Sequence, residues 1–125
     1  AVSTMSNMQQ LEDNVAAACS PMTLSMDEFV QLNRLAALTA PYYCHGCSQI
    51  CESRIEGKLR IADTLRYLMY YEGYGDCDEA RRLYRELSAE ERCTEGIDLA
   101  RAAEVCPQGI DIAGRLDRAK ELLEA

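Results

Sequence analysis

The sequence has no long apolar run and comparatively few positive charges. No stretch approaches the roughly 20 consecutive apolar residues that a membrane-spanning helix needs, so a membrane span is not expected. No basic segment followed by an apolar core opens the chain, so no secretory signal is visible. The 13 Lys and Arg residues are outnumbered by 21 Asp and Glu residues. A surface of this charge repels phosphate backbones and anionic lipids, so neither nucleic acid nor a membrane is an expected partner.

Patterns typical of β-strands are also scarce. No segment shows the regular alternation of apolar and polar residues that marks a half-buried strand. Residues 1–5 are the exception, because they are short and partly β-branched, but such a strand would have no partner within the chain. With 125 residues, 48% of them hydrophobic and 27% charged, the chain has the size and composition of one soluble, compact domain.

Helical spacing dominates the remainder and predicts an all-α domain of five to six helices. The first predicted helix ends at Ser20-Pro21, and the second begins with a capping box formed by Ser25 and Glu28. Pro41 ends that second helix. The third carries the clearest apolar stripe and ends at two glycines; the stripe comprises Ile61, Ala62, Leu65, Leu68 and Met69.

Three further helices are predicted in the second half of the chain. One covers residues 78–87, a short one follows a proposed N-cap at Asp98, and the last follows a proposed N-cap at Asp111. The apolar residues expected to face inward are Ala80, Leu83, Tyr84 and Leu87 in the first of these helices, and Ile112, Leu116, Ala119 and Leu123 in the last.

Seven cysteines are the most unusual feature of the composition. An odd number leaves one thiol over from any complete set of disulfides. Disulfides mostly stabilise small secreted folds that lack a sufficient core, whereas this chain has enough apolar helix to build one. Metal ligation is therefore the first hypothesis for the cysteines.

Four of the cysteines form a pattern that is typical of iron–sulfur ligation. Cys44, Cys47 and Cys51 lie within eight residues, and Gly46 lets the loop fold so that backbone amides face the sulfurs. Cys106 precedes Pro107, which turns the chain away after a helix. We expect these four thiolates to hold one 4Fe–4S cluster.

The spacing around Cys106 predicts one cluster rather than two. Bacterial ferredoxin runs read C-x₂-C-x₂-C-x₃-C-P, and the Cys before Pro ligates the other cluster of the pair. Counting back from Cys106 by these spacings gives Ala102, Leu99 and Gly96, which cannot bind iron. The first run departs from the pattern too, because Ile50 stands where its third Cys is expected and Cys51 follows one residue later.

Other interpretations of these residues remain open. The thiols could be buried small hydrophobic side chains, or they could bind zinc, since C-x₂-C pairs serve both metals. His45 is expected to point outward or to donate a hydrogen bond towards the cluster. Cys19, Cys77 and Cys93 are expected to be spectators, although Cys77 and Cys93 could be exposed or could pair with each other.

The motifs together resemble the C-terminal part of bacterial aldo/keto reductases of the iron–sulfur type, in which a helical ferredoxin-like domain follows a (β/α)₈ barrel. The segments that carry the resemblance are Cys44-His-Gly-Cys47, residues 64–75 and residues 106–112. The resemblance implies that residues 23–125 form the helical 4Fe–4S domain and that residues 1–22 are a remnant of the last barrel strand and helix. The chain is then expected to be a truncated or processed product.

The same resemblance bears on activity. Gln10, Asp13 and Asn14 match family positions that help bind the adenosine end of NADPH, whereas the family's catalytic Tyr, Lys, Asp and His belong to barrel strands that have no match here. The chain itself is therefore expected to contain no catalytic residue, and NADPH is expected only where a barrel is present. The expected partner is an oxidoreductase barrel or a redox partner protein. The expected compartment is the cytoplasm, or the periplasm if a twin-arginine signal preceded the chain.

Three functional hypotheses follow. In the first, the chain is an electron-transfer module with one 4Fe–4S cluster, serving an oxidoreductase similar to the aldo/keto reductases. In the second, it is a structural or docking domain in which a redox-silent cluster or a zinc ion holds the helices together. In the third, it is one part of an intact NADPH-dependent enzyme.

Overall fold

The computed structural model describes residues 4–125, and this part of the chain is all-α, as predicted. It contains eight α-helices and no strand: α1 (Met8–Cys19), α2 (Met26–Thr39), α3 (Ser48–Cys51), α4 (Ile61–Gly73), α5 (Cys77–Glu86), α6 (Ala89–Arg92), α7 (Leu99–Glu104) and α8 (Ile112–Leu123). Short 3₁₀ turns cover Ala40–Tyr42 and Glu52–Arg54. The strand predicted at residues 1–5 lies mainly on residues 1–3, which are outside the described part, and Thr4 and Met5 are not in a strand.

The helices begin largely where local hydrogen bonding dictates. The Ser25 amide donates to the Glu28 carboxylate at 2.9 Å, and the Glu28 amide donates to Ser25 Oγ at 3.3 Å, so the predicted capping box is confirmed. The Asp111 carboxylate accepts from the Gly114 amide at 3.1 Å, as predicted for the N-cap of α8. A second capping box, formed by Ser88 and Glu91, opens α6.

The prediction for Asp98 is only half right. Asp98 occupies the N-cap position of α7, but its side chain makes no capping hydrogen bond. Its carboxylate instead pairs with Arg101 at 3.2 Å. Asp98 thus interacts with a side chain of the first turn of α7 and not with its backbone.

The chain divides into two compact units, one up to Asn33 and the other from Arg34 to Ala125. In the second unit, α4 and α8 pack against each other, and α5 packs on both. One core cluster lies where these three helices meet, and its buried members are Leu68, Ala80, Tyr84, Ala119 and Leu123. The apolar stripes predicted for the three helices account for all five of these residues.

A second core cluster lies at the other end of α4 and α8, where α3 and α7 join them. Its buried members are Cys51, Leu59, Ile61, Leu65, Ala102, Ile110, Ile112 and Leu116. Cys51 is the only cysteine among the buried core residues of residues 4–125. The core therefore reaches the cysteine loop directly.

Helices α1 and α2 have no buried side chain, although they contain 12 and 14 residues. Their large apolar side chains are 40–75% exposed, as at Leu11, Phe29 and Leu38. The predicted ends of the two helices, at Ser20-Pro21 and at Pro41, agree with the structure. In the described part of the chain, no helix combines the length and the hydrophobicity needed to cross a bilayer.

Candidate metal centre

The first three cysteines of the predicted site lie on a tight loop that leads into a single helical turn. Cys44 follows the 3₁₀ turn at Ala40–Tyr42, Cys47 occupies the N-cap position of α3, and Cys51 ends that helix. Gly46 has φ +74°, a conformation that residues with a Cβ rarely adopt, and its amide points to Cys44 Sγ at 3.5 Å. The predicted contact between a loop amide and a ligand sulfur is thus present.

Cys106 lies far from the other three cysteines in sequence. It lies two residues after the end of α7, and its carbonyl accepts from the Gly109 amide at 3.0 Å. This bond closes a turn in which Pro107 occupies the second position, where its fixed φ is favourable. The Cys-Pro corner therefore stops α7 and leaves the Cys106 thiol beside the core.

The fold brings three of the four predicted ligands to the same core cluster. Cys51 is buried within it, with 7% of its surface exposed, and Cys44 and Cys106 pack against it as half-buried side chains. Packing of α3 on α7, and of both on the α4–α8 pair, explains this convergence across about half of the sequence. Cys47 is half-buried but is not part of the cluster.

Electrostatic interactions connect Cys47, which lies outside the core cluster, to Cys44. Burial raises the pKa of Cys44, the Gly46 amide opposes this rise, and the neighbouring thiols of Cys47 and Cys106 add to it. Burial also raises the pKa of Cys51 to about 11, with further contributions from the Glu52 carboxylate and from Cys44. Cys44 therefore interacts with each of the other three predicted ligands, and without a metal Cys44 and Cys51 are neutral thiols at pH 7.

The arrangement is not a preformed site for a single metal ion. Within residues 4–125, no three or more His, Cys, Asp or Glu side chains form a group that could hold a metal ion. A tetrahedral zinc with four thiolates would bring the sulfurs to about 3.8 Å from one another, given Zn–S bonds of about 2.3 Å. A four-iron cluster needs a wider set, because each thiolate binds a different iron. The finding therefore supports neither a zinc site nor a preformed cluster site at these thiols.

The other candidate residues are not members of this core cluster. Cys19 and Cys93 are exposed and Cys77 is half-buried, and all seven cysteines are free thiols, so the possible pairing of Cys77 with Cys93 is absent. His45 is exposed, in keeping with the expectation that it points outward. The Tyr70 ring of α4 stacks on that of Tyr74, the residue after the helix, with centroids 5.8 Å apart, and it is tilted by 46° to the Tyr67 ring.

No protein-family model matches the chain, and neither the curated proteins nor the solved structures include a match. The resemblance to the aldo/keto reductases therefore rests on the quoted motifs alone. The site must be judged from its own geometry and chemistry.

Two charged residues at the site were not singled out from the sequence. The Glu52 carboxylate accepts a 2.9 Å hydrogen bond from the Ala62 amide in the first turn of α4, so it fastens the end of the cysteine loop to the core. Arg66 lies near enough to Cys44 to oppose the rise in that thiol's pKa, and it pairs with Asp63. Neither role has a signal in spacing, since both depend on how α3 packs against α4.

The raised thiol pKa values predict a loss of stability at alkaline pH for the metal-free protein. An unfolded cysteine ionises near pH 9.0, whereas folded Cys51 ionises at about 11. The folded state thus holds its proton more tightly, so stability is complete below pH 9 and is lost as the pH rises towards 11. We expect Cys51 to account for a fall of about 1–2 kcal/mol in the free energy of unfolding over this range. Urea denaturation at pH 8 and at pH 11 measures it.

The matched control is Cys51→Ala, which removes the ionisable group from the same position. This variant should be less stable at pH 8, but it should lose less stability than wild type between pH 8 and pH 11. Equal losses in the two proteins would show that Cys51 is not the buried thiol responsible.

Proposed function

We propose that this chain binds one 4Fe–4S cluster through Cys44, Cys47, Cys51 and Cys106 and acts as an electron-transfer module for an oxidoreductase similar to the aldo/keto reductases. The observation that carries the proposal is that Cys106, distant in sequence from the other three free thiols, packs with Cys44 and Cys51 at one core cluster, while Cys47 lies near enough to Cys44 to affect its pKa. Residues 23–125 would form the cluster domain, and residues 1–22 would derive from the end of a barrel. The cytoplasm is the proposed compartment, since it is reducing.

The donor set fits such a cluster chemically. Cysteine thiolates are the usual ligands of 4Fe–4S clusters, and hydrogen bonds to the sulfurs tune the reduction potential. The Gly46 amide near Cys44 Sγ supplies one donor of this kind. The buried apolar residues on the inner side, among them Leu65 and Ile110, would limit the access of water. When bound, the cluster would supply one-electron oxidation and reduction.

The chain's own residues would then have separate tasks. Cys51 and Cys106 would fix the group to the core, whereas Cys44 and Cys47 lie on a loop whose central residues, His45 and Gly46, are exposed. With the group bound, these exposed residues would be the part of the loop that is open to a partner. Binding must release protons, because Cys44 and Cys51 are neutral at pH 7 before ligation.

The decisive experiment is anaerobic purification followed by metal analysis. We expect a brown protein with about four irons per chain, broad absorption near about 400 nm and bleaching on addition of dithionite. A colourless protein with one zinc per chain would contradict the proposal. A brown protein that dithionite does not bleach would support the second hypothesis, a structural domain held together by a redox-silent cluster.

We also propose that the segment of residues 4–39 meets the oxidoreductase partner. This segment contains α1 and α2, and its twelve large apolar side chains are at least 40% exposed. Monomeric proteins rarely expose apolar patches larger than a few hundred Å². The apolar residues of α2 surround the helix instead of forming one stripe, and such helices are normally enclosed by other elements.

Charge favours a different protein over a second copy of this chain as the occupant. Residues 4–39 contain four acidic residues, one arginine and no lysine, and the chain carries a net charge of -8. A second copy would bring the same acidic surface, whereas a partner with basic residues around an apolar groove would be complementary. Four of the five methionines also lie in this segment, and methionine is enriched at protein interfaces.

A further inference from the structure

Arg115 joins three elements beside the cysteine loop. It lies on α8, and its guanidinium pairs with the Glu72 carboxylate of α4 at 2.7 Å. The same guanidinium lies over the ring of Tyr42, 5.6 Å from its centroid. Tyr42 ends the 3₁₀ turn and stands two residues before Cys44.

The Arg115 side chain is held more firmly than most charged groups of this protein. Only 17% of its surface is exposed, and its partner Glu72 is 30% exposed, so solvent screens the pair less than it screens surface pairs. The Tyr42 side chain is 59% exposed, so one cation–π contact is a large part of what can restrain it. The ion pair therefore holds the Arg115 guanidinium between α4 and α8, and the guanidinium holds the Tyr42 ring.

The surrounding space allows this ring to move if the contact is lost. Tyr42, Met69 and Arg115 are among the residues that line an open cleft of about 170 Å³. The Tyr43 side chain lies against Gly73 in the same cleft, where a Cβ would be 3.6 Å from the Tyr43 hydroxyl. Both aromatic residues that precede Cys44 thus rest on α4 and α8 through side-chain contacts.

We propose that Arg115 is a positioning residue for Cys44, acting through Tyr42. The ion pair with Glu72 holds the guanidinium, the guanidinium holds Tyr42, and Tyr42 fixes the start of the loop that presents the thiol. The inference builds on the proposed cysteine site but goes beyond it, because it concerns the order of the loop in the metal-free chain. Arg115 itself touches no cysteine in this role.

The test is the rate at which Cys44 is alkylated by iodoacetamide in native, metal-free protein, measured by peptide mass spectrometry. In Arg115→Ala, we expect Cys44 to react about three- to tenfold faster than in wild type, as the loss of one cation–π contact implies. Cys106 serves as the internal reference, and its rate should stay within about twofold of wild type. Tyr42→Ala should match Arg115→Ala, and the double variant should add little, because both remove the same contact.

Arg118→Ala is the matched control. Arg118 also pairs with Glu72, at 3.3 Å, and lies on the same helix, but of the two arginines it is Arg115 that lies over the Tyr42 ring. Its removal should leave the Cys44 rate unchanged. Arg115→Lys keeps the charge but loses the flat guanidinium, so its rate should lie between those of wild type and Arg115→Ala.

Two outcomes would overturn the proposal. One is an unchanged Cys44 rate in both Arg115→Ala and Tyr42→Ala. The other is an equal acceleration of Cys44 and Cys106, which would indicate general loosening. If Arg115→Ala does not fold, Tyr42→Ala and Arg115→Lys still decide the matter. A colourless wild-type protein would contradict the cluster proposal, but the alkylation rates could still be measured. An unchanged alkylation rate would contradict the positioning role of Arg115 and would leave the cluster proposal intact.

Discussion

Replacing Cys106 by serine is expected to remove the cluster and to loosen the whole second unit. Cys106 is the one predicted ligand that lies far in sequence from the other three, so its thiolate would join the turn after α7 to the loop before α3. In small metal-binding domains the free energy of ligation is also free energy of folding. Loss of one of four ligands should therefore lower the iron content from about four per chain to near zero. Iron analysis and visible absorption of anaerobically purified protein measure the first effect, and thermal unfolding measures the second.

The control is Cys93→Ser, which makes the same chemical change at an exposed thiol outside the site. It should keep its colour, its iron and its melting temperature within about 2 °C of wild type, as surface substitutions usually do. Cys44→Ser, Cys47→Ser and Cys51→Ser should each behave like Cys106→Ser. If Cys51→Ser kept the cluster while Cys77→Ser lost it, the ligand assignment would be wrong.

The helices of this chain could be predicted from sequence because their signals are local. Ser25 and Glu28 satisfy each other's amides over three residues, and Pro41 ends α2 whatever the rest of the chain does. The stripe on α8 needed no more than a count of apolar residues, and all four of its predicted members, Ile112, Leu116, Ala119 and Leu123, are buried. Such signals, which involve residues close in sequence, can be recognised without any knowledge of tertiary structure.

Burial could not be predicted in the same way. Leu35 on α2 and Leu65 on α4 have similar helical settings in sequence, yet the first is 57% exposed and the second only 4%. Periodicity shows that a helix has an apolar face, but it does not show which molecule covers that face. The exposure of α1 and α2 is informative for this reason, since it locates the segment that we propose meets a partner.

The candidate site could be predicted from the sequence only in part. The spacing of Cys44, Cys47 and Cys51 directed attention to one loop, and the Cys106-Pro107 pair indicated the fourth ligand. That Cys106 and Cys51 share one core cluster depends on the packing of α3 against α7, which no spacing reports. The charged residues around the loop, Glu52 and Arg115 in particular, act through contacts between helices and were invisible until the helices were placed.

The second large effect is expected in the core that α4, α5 and α8 share. Leu68 is fully buried there, with 0% of its surface exposed, and it packs against the cluster that contains Tyr84 and Leu123. Leu68→Ala should lower the free energy of unfolding by about 2–5 kcal/mol, since it leaves a cavity among side chains that can only partly collapse. For a protein of this size, such a loss is a large share of the total stability. Urea denaturation followed by circular dichroism measures it.

Leu35→Ala is the matched comparison, because it makes the same change in another α-helix at an exposed position. In the chain on its own, this substitution should change the free energy of unfolding by no more than about 0.5 kcal/mol. A small change is also what we expect if α2 binds a different protein, because in the chain on its own the Leu35 side chain has no apolar partner to lose. A cost at Leu35 close to that at Leu68, together with a dimer in sedimentation at the same concentration, would show that a second copy already covers α2. That outcome would replace the proposed oxidoreductase partner by self-association.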